Sequence, residues 1–354
     1  MLRHLRACLL LLVSTVVIFC VLYPLVLLGI GKTAFPAQAE GSLVDRNGNL
    51  VTDPSKAVGS RLIAQAFSKD EYFQPRPSAT SPAYNAAASG ASNWSANNVQ
   101  LRDRVAQALG PIVKYAAGEK KGTPVGPDID AWFKKDTFQG KPGIVAQWAD
   151  ANNSTAQNWV GTLDPKNPSP LQQYILGWAK SHPADVAKFK KDNPDDSDPS
   201  PQDLAVVFFE SVSKENPGKF PGAVDHTAAD GKTEKKIDLV SEGSDVQSTM
   251  FDLWLADHPK AELEKVPGDL VTASGSGLDP DITLDNAEYQ LDRVAGAWAE
   301  KLHRDAAGVS KEIEAMLQER ATAPLGGLVG VKMINVLEMN IALTNRYAPA
   351  PSAK

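Results

Sequence analysis

The chain has 354 residues, 43% of them hydrophobic and 22% charged, with a formal net charge of −6. That balance excludes wholesale disorder, and its acidic sign argues against a general nucleic-acid binder, which carries a basic face. Both cysteines, Cys8 and Cys20, lie in one N-terminal apolar run, so the rest of the chain can form neither a disulfide nor a thiolate metal site.

Residues 7–30 carry no charge. At ~1.5 Å per residue they reach about 36 Å, enough to cross a ~30 Å hydrocarbon core with some tilt. Arg3, His4 and Arg6 precede the run, and Lys32 and Arg46 are the nearby cations beyond it. The positive-inside rule therefore predicts a cytoplasmic N-terminus at 1–6, a transmembrane helix at 7–30 and an exported remainder. Pro24 is predicted to kink the span. Cys8, Ser14 and Thr15 are small and weakly polar, as helix–helix contacts in lipid prefer. Ala37-Gln38-Ala39 before Glu40 has the form of a signal-peptidase site, but the apolar run far exceeds a signal-peptide core of roughly 7–15 residues. A retained anchor is the expectation, and either reading exports the body of the chain.

Ser42–Val51 holds two apolar runs around Asn47-Gly48, a hairpin signal. Asp45, Asn47 and Asn49 mimic the spacing of a calcium loop, but the glycine is misplaced and Lys56 stands where the loop needs an acid, so a turn is expected. A hydroxyl- and amide-rich stretch with Arg76 as its one charged residue follows: Tyr72-Phe73-Gln74-Pro75 leading to Arg76-Pro77-Ser78, then Tyr84-Asn85 and Ser89-Gly90-Ala91-Ser92-Asn93.

Composition then shifts. No arginine occurs between Arg104 and Arg293, and residues 111–261 carry 17 lysines against 22 acids, which places a charge of −5 there. Trp132, Trp148, Trp159, Trp178 and Trp254 also lie in this stretch, read as a mostly helical insertion. Trp178-x-x-x-His182-Pro183 resembles Trp254-x-x-x-His258-Pro259, with a looser copy ending at Asn216-Pro217. Each predicts a helix stopped before proline, because the pre-proline residue is excluded from the α region. A repeat-built docking surface and a small bundle with tryptophans as core both fit, and the bundle is the expectation. Residues 190–203 read as a charged, proline-rich link.

A second hydroxyl-rich segment runs Thr272-Ala273-Ser274-Gly275-Ser276-Gly277-Leu278 into Asp279-Pro280. Leu284, Leu291, Trp298 and Leu302 recur at helical spacing behind Thr283, predicting a capped helix near 284–303. Ser310 is expected to cap a helix to Arg320. Val331, Met333, Leu337, Met339, Ile341 and Leu343 alternate at period two and predict a buried strand interrupted by Asn335. The residues 346–354 read as a tail.

Catalytic machinery is absent from the pattern. There is no G-x-S-x-G elbow, no H-E-x-x-H and no G-x-x-x-x-G-K-[ST] loop, and the five histidines are scattered. No catalytic and no metal-ligating residue is assigned. His182 and His258 read as helix-end residues. An exported hydrolase built on Ser92 or Ser276 lacks a nearby histidine base.

The anchor, the first strand, the two hydroxyl- and amide-rich segments, Gln290-Leu-Asp-Arg293-Val-Ala and Asn335-Val-Leu-Glu338-Met-Asn340 resemble KdpC, the C subunit of the bacterial Kdp potassium-transporting ATPase. The resemblance covers about 5–110 and 262–345 in the family's order. Two departures stand out: about 150 residues intervene, and Arg293-Val-Ala-Gly296-Ala-Trp298 lacks a second basic residue. The resemblance implies an α+β domain at 31–110 and 262–345, exported behind one transmembrane helix and carrying the 111–261 insertion. It implies the bacterial inner (plasma) membrane, and as partners the channel-like A subunit, the P-type B subunit, the small F peptide and membrane lipid, with no nucleic acid.

The implied function is that of a non-catalytic accessory subunit of high-affinity potassium uptake. It would assist assembly and act as a catalytic chaperone supporting ATP binding and turnover by the B subunit. The chain has no Asp-Lys-Thr-Gly phosphorylation motif. No firmly bound cofactor is expected: ATP enters through the B subunit, and potassium is the ion transported. Partner or structural roles are expected for Arg76, Pro77, Ser78, Tyr84, Asn85, Ser89, Gly90, Ser92, Asn93, Glu338 and Asn340.

A nucleotide, if bound directly, points to Ser274, Gly275, Ser276, Gly277, Gln290 and Arg293, because a Ser/Gly loop can offer N–H groups to phosphate. Asp279 and Asp281 would repel that phosphate, and hydroxyls and amides equally satisfy backbone in tight turns that shape a docking surface, the preferred reading. The insertion's −5 could raise the local cation concentration, screened beyond ~8 Å at physiological salt. The alternative function is an anchored, exported binding or adhesion protein working through the Trp-rich insertion.

Overall fold

A computed structural model describes residues 2–151, 153–161, 168–196, 198–227 and 233–348. The chain forms two compact units, one joining residues up to Asn93 with those from Pro267 onward, the other Trp94–Val266. The second is wider than the 111–261 stretch marked by composition, because the Val99–Leu109 helix packs on Ser244–Asp257.

The first unit opens with an unbroken helical run, Leu2–Ala34, whose best window has mean hydropathy 2.7. None of its residues is buried by protein, and by length and composition the run can cross a membrane. Pro24 has no N–H to give a carbonyl one turn back, and the helix widens just before it. Val16–Leu22 is a π turn, in which Tyr23 N–H reaches Ile18 five residues back. Ala37-Gln38-Ala39 sits in the short helix Pro36–Ala39.

The predicted hairpin is present. Leu43–Val44 pairs with Leu50–Val51 on one side and Gly59–Ser60 on the other, all antiparallel. The Asp45 carboxylate accepts the N–H groups of Asn47 (2.8 Å) and Asn49 (2.9 Å), so the calcium-like spacing makes a turn.

Asp281–Thr283 and Met333–Asn335 pair antiparallel, with Ile282 opposite Ile334 in the core. A helix follows each strand at once. Leu284–Leu302 begins where predicted, its first turn capped by Thr283 Oγ1, which accepts from Asn286 N–H at 3.1 Å. Two expectations are corrected. The cap of Ala306–Arg320 is Asp305, whose carboxylate accepts from Gly308 N–H at 2.8 Å, and Ser310 lies one turn inside. The strand expected over 331–343 is only Met333–Asn335, followed by the helix Val336–Tyr347. The alternating Leu337, Met339, Ile341 and Leu343 are all buried because this helix packs into two apolar clusters, Leu337 and Ile341 in one and Val336, Met339, Leu343 and Tyr347 in the other, and Asn335 is the N-cap, accepting from Glu338 N–H at 3.2 Å. Arg346 and Tyr347 thus belong to this helix, and residues 349–354 of the expected tail lie outside the described residues.

The second unit is helical but not only helical. Among the described residues the unit is mostly helical, as expected, and two antiparallel hairpins, Thr137–Phe138 with Lys141–Pro142 and Phe220–Thr227 with Thr233–Val240, add to its helices. The tryptophans of the 111–261 stretch are core: Trp132, Trp148, Trp178 and Trp254 are each less than a tenth exposed, and Trp159 packs against the same cluster, whereas Trp94 at the start of the unit is half-buried. Trp148 meets Phe209 edge-on at 5.0 Å, and Phe209 stacks on Phe220 at 5.6 Å, each such pair worth roughly 0.5–1.5 kcal/mol beyond area burial.

The repeat is a helix-ending device. His182 and His258 cap Pro170–Ser181 and Ser244–Asp257, and each ring stacks at 17° on the tryptophan four residues back. Their Nδ1 atoms lie 2.9 and 2.8 Å from the carbonyl oxygens of Trp178 and Trp254. Asn216 (φ −134°, ψ 68°) ends Ala205–Glu215 in nearly the conformation of His182 and His258, and so does Asn193 (φ −126°, ψ 72°), a fourth copy, after Pro183–Asp192. Residues 190–192 therefore belong to a helix, and only the remainder of the expected 190–203 link connects elements.

Candidate functional site

The two hydroxyl- and amide-rich segments, about 200 residues apart in sequence, meet in the first unit. The Ser/Gly loop folds on itself first. Ser274 Oγ accepts from Asp279 N–H (3.3 Å), Ser276 Oγ accepts from Leu278 N–H (3.1 Å), and Gly277 N–H donates to Ser274 O (3.2 Å). Three consecutive amides are thereby turned inward rather than offered to a ligand. Ser274 and Gly277 are buried, and Gly275 is exposed.

The first segment wraps this loop. Gly90 N–H (2.9 Å) and Ser89 Oγ (3.1 Å) both donate to Ser276 O, and Ser78 Oγ donates to Gly277 O at 2.7 Å. Gly277 sits at φ +68°, and a Cβ there would lie 2.8 Å from Gly90 O and 2.9 Å from Thr80 Cγ2. Only glycine fits that crossing. Ser78 Oγ also accepts from Tyr84 N–H (3.0 Å), Tyr84 Oη donates to Arg76 O (3.0 Å), and Asn85 accepts from Ala87 N–H (3.0 Å) to start a 3-10 turn. Pro77 and Ser92 are half-buried, and Asn93 is exposed with φ 52°.

Arg76 supplies the cation that sequence-local reasoning did not find beside the loop. Its guanidinium donates to Ala273 O (3.1 Å) and lies 3.5 Å from Asp279 Oδ2, so its charge is matched within the frame. Burial raises the Asp281 carboxyl above its ordinary value, partly offset by a bond from Asn335 Nδ2.

Two helices hold the Asp70–Gln74 backbone by side-chain amides. Asn340, from Val336–Tyr347, accepts from Phe73 N–H (2.9 Å) and donates to Phe73 O (2.8 Å). Gln290, from Leu284–Leu302, does the same for Gln74 at 2.8 and 3.0 Å. Gln290 Nε2 donates also to Asn286 Oδ1, and its Oε1 accepts also from Arg293, so all four of its hydrogen-bonding positions are occupied. Arg293 donates onward to Asp70 O (2.8 Å) and Tyr72 O (3.1 Å), and its burial pulls the guanidinium below its ordinary value. Glu338 pairs with Arg61 at 2.5 Å. Sequence reading missed Thr80, Asn286 and Asn335, whose signals were an amide inside a helix and an Asn three residues before Glu338.

The arrangement is a densely hydrogen-bonded polar frame in which the buried Asn286 Nδ2 has no partner, and among the described residues no nucleophile and base are assembled in it. Among the described residues, no group of His, Cys, Asp and Glu could hold a metal ion. A cavity of about 660 Å³ opens beside Phe67, Tyr72, Leu337 and Ile341.

Comparison with known proteins gives the context. The profile of KdpC, the K+-transporting ATPase c chain, matches residues 5–131 and 236–345. The potassium-transporting ATPase KdpC subunit of Caulobacter vibrioides is 26% identical over the whole chain and 99% of its own length, through the Trp94–Val266 unit. That of Rhodospirillum rubrum is 40% identical over 35% of this chain and 61% of its own length. That of Ralstonia nicotianae is 51% identical over 28% of this chain and 46% of its own length. Both motif segments lie inside the matched residues, and the chain belongs to the KdpC family, the c chain of K+-transporting ATPases.

Proposed function

We propose that this chain is the accessory subunit of an ATP-driven potassium uptake complex. It assists assembly with channel-like, P-type ATPase and small-peptide subunits, and it supports turnover of the ATPase as a non-catalytic chaperone. The observation that carries the reading is the family match across both motif segments, on a chain that begins with one apolar helix long enough to span a bilayer. In this reading Leu2–Ala34 anchors the chain in the inner membrane with its N-terminus inside, and the rest of the first unit and the second unit lie outside. The transported ion and the nucleotide are handled by the partners.

The hydrogen-bond inventory supports a rigid docking frame in preference to direct nucleotide contact. Gln290, Arg293, Ser274, Ser276 and Gly277 hold the frame together, and Asp279 and Asp281 put negative charge beside the loop. The burial of the tryptophans removes the feature that favoured an adhesion role for the second unit.

The test is potassium-limited growth and native-gel assembly of the complex. Removal of residues 72–93 or 269–280 should abolish both, and so should Gly277→Ala in the full-length chain. Normal assembly and growth in all three variants would overturn the proposal.

A further inference from the structure

The chain from Ala321 to Val331 carries no charge, and Arg320 and Lys332 bracket it, both exposed. Its neck is pinned: Thr322 N–H donates to Met333 O (3.0 Å) and Met333 N–H to Thr322 O (2.8 Å), closing residues 323–332 into a loop. The tip holds its apolar side chains outward. Leu325 is 75% exposed, Leu328 85%, Val329 53% and Val331 59%. Leu325 itself adopts a left-handed conformation (φ 51°, ψ 38°), unusual for a bulky residue. Leucine and valine are normally buried, and four exposed together on a pinned loop mark a contact surface.

We infer that this loop dips into the surface of an anionic lipid bilayer, with Arg320 and Lys332 against the headgroups. Three observations favour lipid as the occupant. The tip is apolar and glycine-rich, which suits a fluid phase better than a fitted protein pocket. The flanking cations match anionic headgroups in sign and position. The unit is tethered close to a membrane, since its first strand begins at Leu43, nine residues after the candidate span ends at Ala34. Nine residues reach at most about 30 Å.

The test uses the full chain, with Cys8→Ser and Cys20→Ser, in phosphatidylglycerol/phosphatidylethanolamine vesicles. Nitroxide labels are placed on Leu328→Cys and, as an exposed control, on Ala315→Cys. Power saturation compares relaxation by oxygen with relaxation by an aqueous nickel chelate. The oxygen-to-nickel ratio at 328 should exceed that at 315 by about ten-fold, and Arg320→Gln with Lys332→Gln should reduce the excess in these vesicles. Equal ratios at 328 and 315 would overturn the inference. So would shielding at 328 that arises only after partner subunits are added, which would assign the loop to a protein site. An excess that Arg320→Gln with Lys332→Gln leaves unchanged would overturn the headgroup contact. The outcome is independent of pump assembly, because the chain is reconstituted alone.

Discussion

Gly277→Ala tests the crossing of the two motif segments. The added methyl must occupy a left-handed backbone, which costs about 1–2 kcal/mol. It would also lie 2.8 Å from Gly90 O, 2.9 Å from Thr80 Cγ2 and 3.2 Å from Ala79 N, and two of those three atoms are backbone. Relief requires the segments to part, which weakens the bonds from Gly90 N, Ser89 Oγ and Ser78 Oγ to the loop. At about 0.5–1.5 kcal/mol each, these bring the loss to about 2.5–6.5 kcal/mol. For a unit of this size that is a drop of roughly 5–26 °C in Tm. Gly275→Ala is the control: nothing lies within 4 Å of its Cβ position and its φ is not left-handed, so it should change stability by less than about 0.5 kcal/mol. The assay is thermal unfolding of the full chain in detergent, followed by near-ultraviolet circular dichroism. Equal Tm values for the two variants would refute the reasoning. Intact Tm with lost assembly in Gly275→Ala would identify a surface that a partner approaches closely.

Gln290→Leu and Asn340→Leu each strand one N–H and one C=O of the Phe73–Gln74 backbone, so each should cost about 2–4 kcal/mol in chemical denaturation. Unchanged stability with weakened nucleotide affinity of the assembled complex would place Gln290 at the nucleotide instead. Arg304, Tyr347 and Arg346 donate to Glu312 and hold its carboxyl at about 2. A depressed carboxyl stabilises above its unfolded value and loses that contribution as pH falls, so stability should decline between pH 4.5 and about 2, and Glu312→Gln should flatten that decline in pH-jump unfolding. His182→Asn and His258→Asn should each preserve the helix end, because Asn216 and Asn193 hold it in nearly the same conformation, and should cost about 0.5–1.5 kcal/mol through the lost stacking on tryptophan. A cooperative collapse of the second unit's Tm in either would refute the equivalence.

Local signals were legible where their physics is local. Thr283 announced the Leu284–Leu302 helix, and Asn47-Gly48 announced the hairpin, because a cap and a tight turn act within one turn of chain. The residues around Asn335 misled because an apolar run can satisfy period two and period 3.6 at once, and the deciding feature was the Asn335 cap with Glu338 three residues on. The membership of both motif segments could be read from their residue order, but their relation to each other could not. Arg76 meets Asp279 across 203 residues and Gln290 meets Gln74 across 216, and no periodicity encodes such pairs. Arg293 and Gln290 looked like ligand-binding groups because polar side chains behind a Ser/Gly loop have two uses, and only tertiary packing shows which donors and acceptors are already engaged.

The most direct measurement is detergent co-purification from potassium-starved cells, with an affinity tag placed after Lys354. The account predicts that a large channel-like membrane protein and a P-type ATPase are recovered with the chain in fixed proportion, and that Gly277→Ala loses both. Recovery of neither, with the chain intact in the membrane, would contradict it.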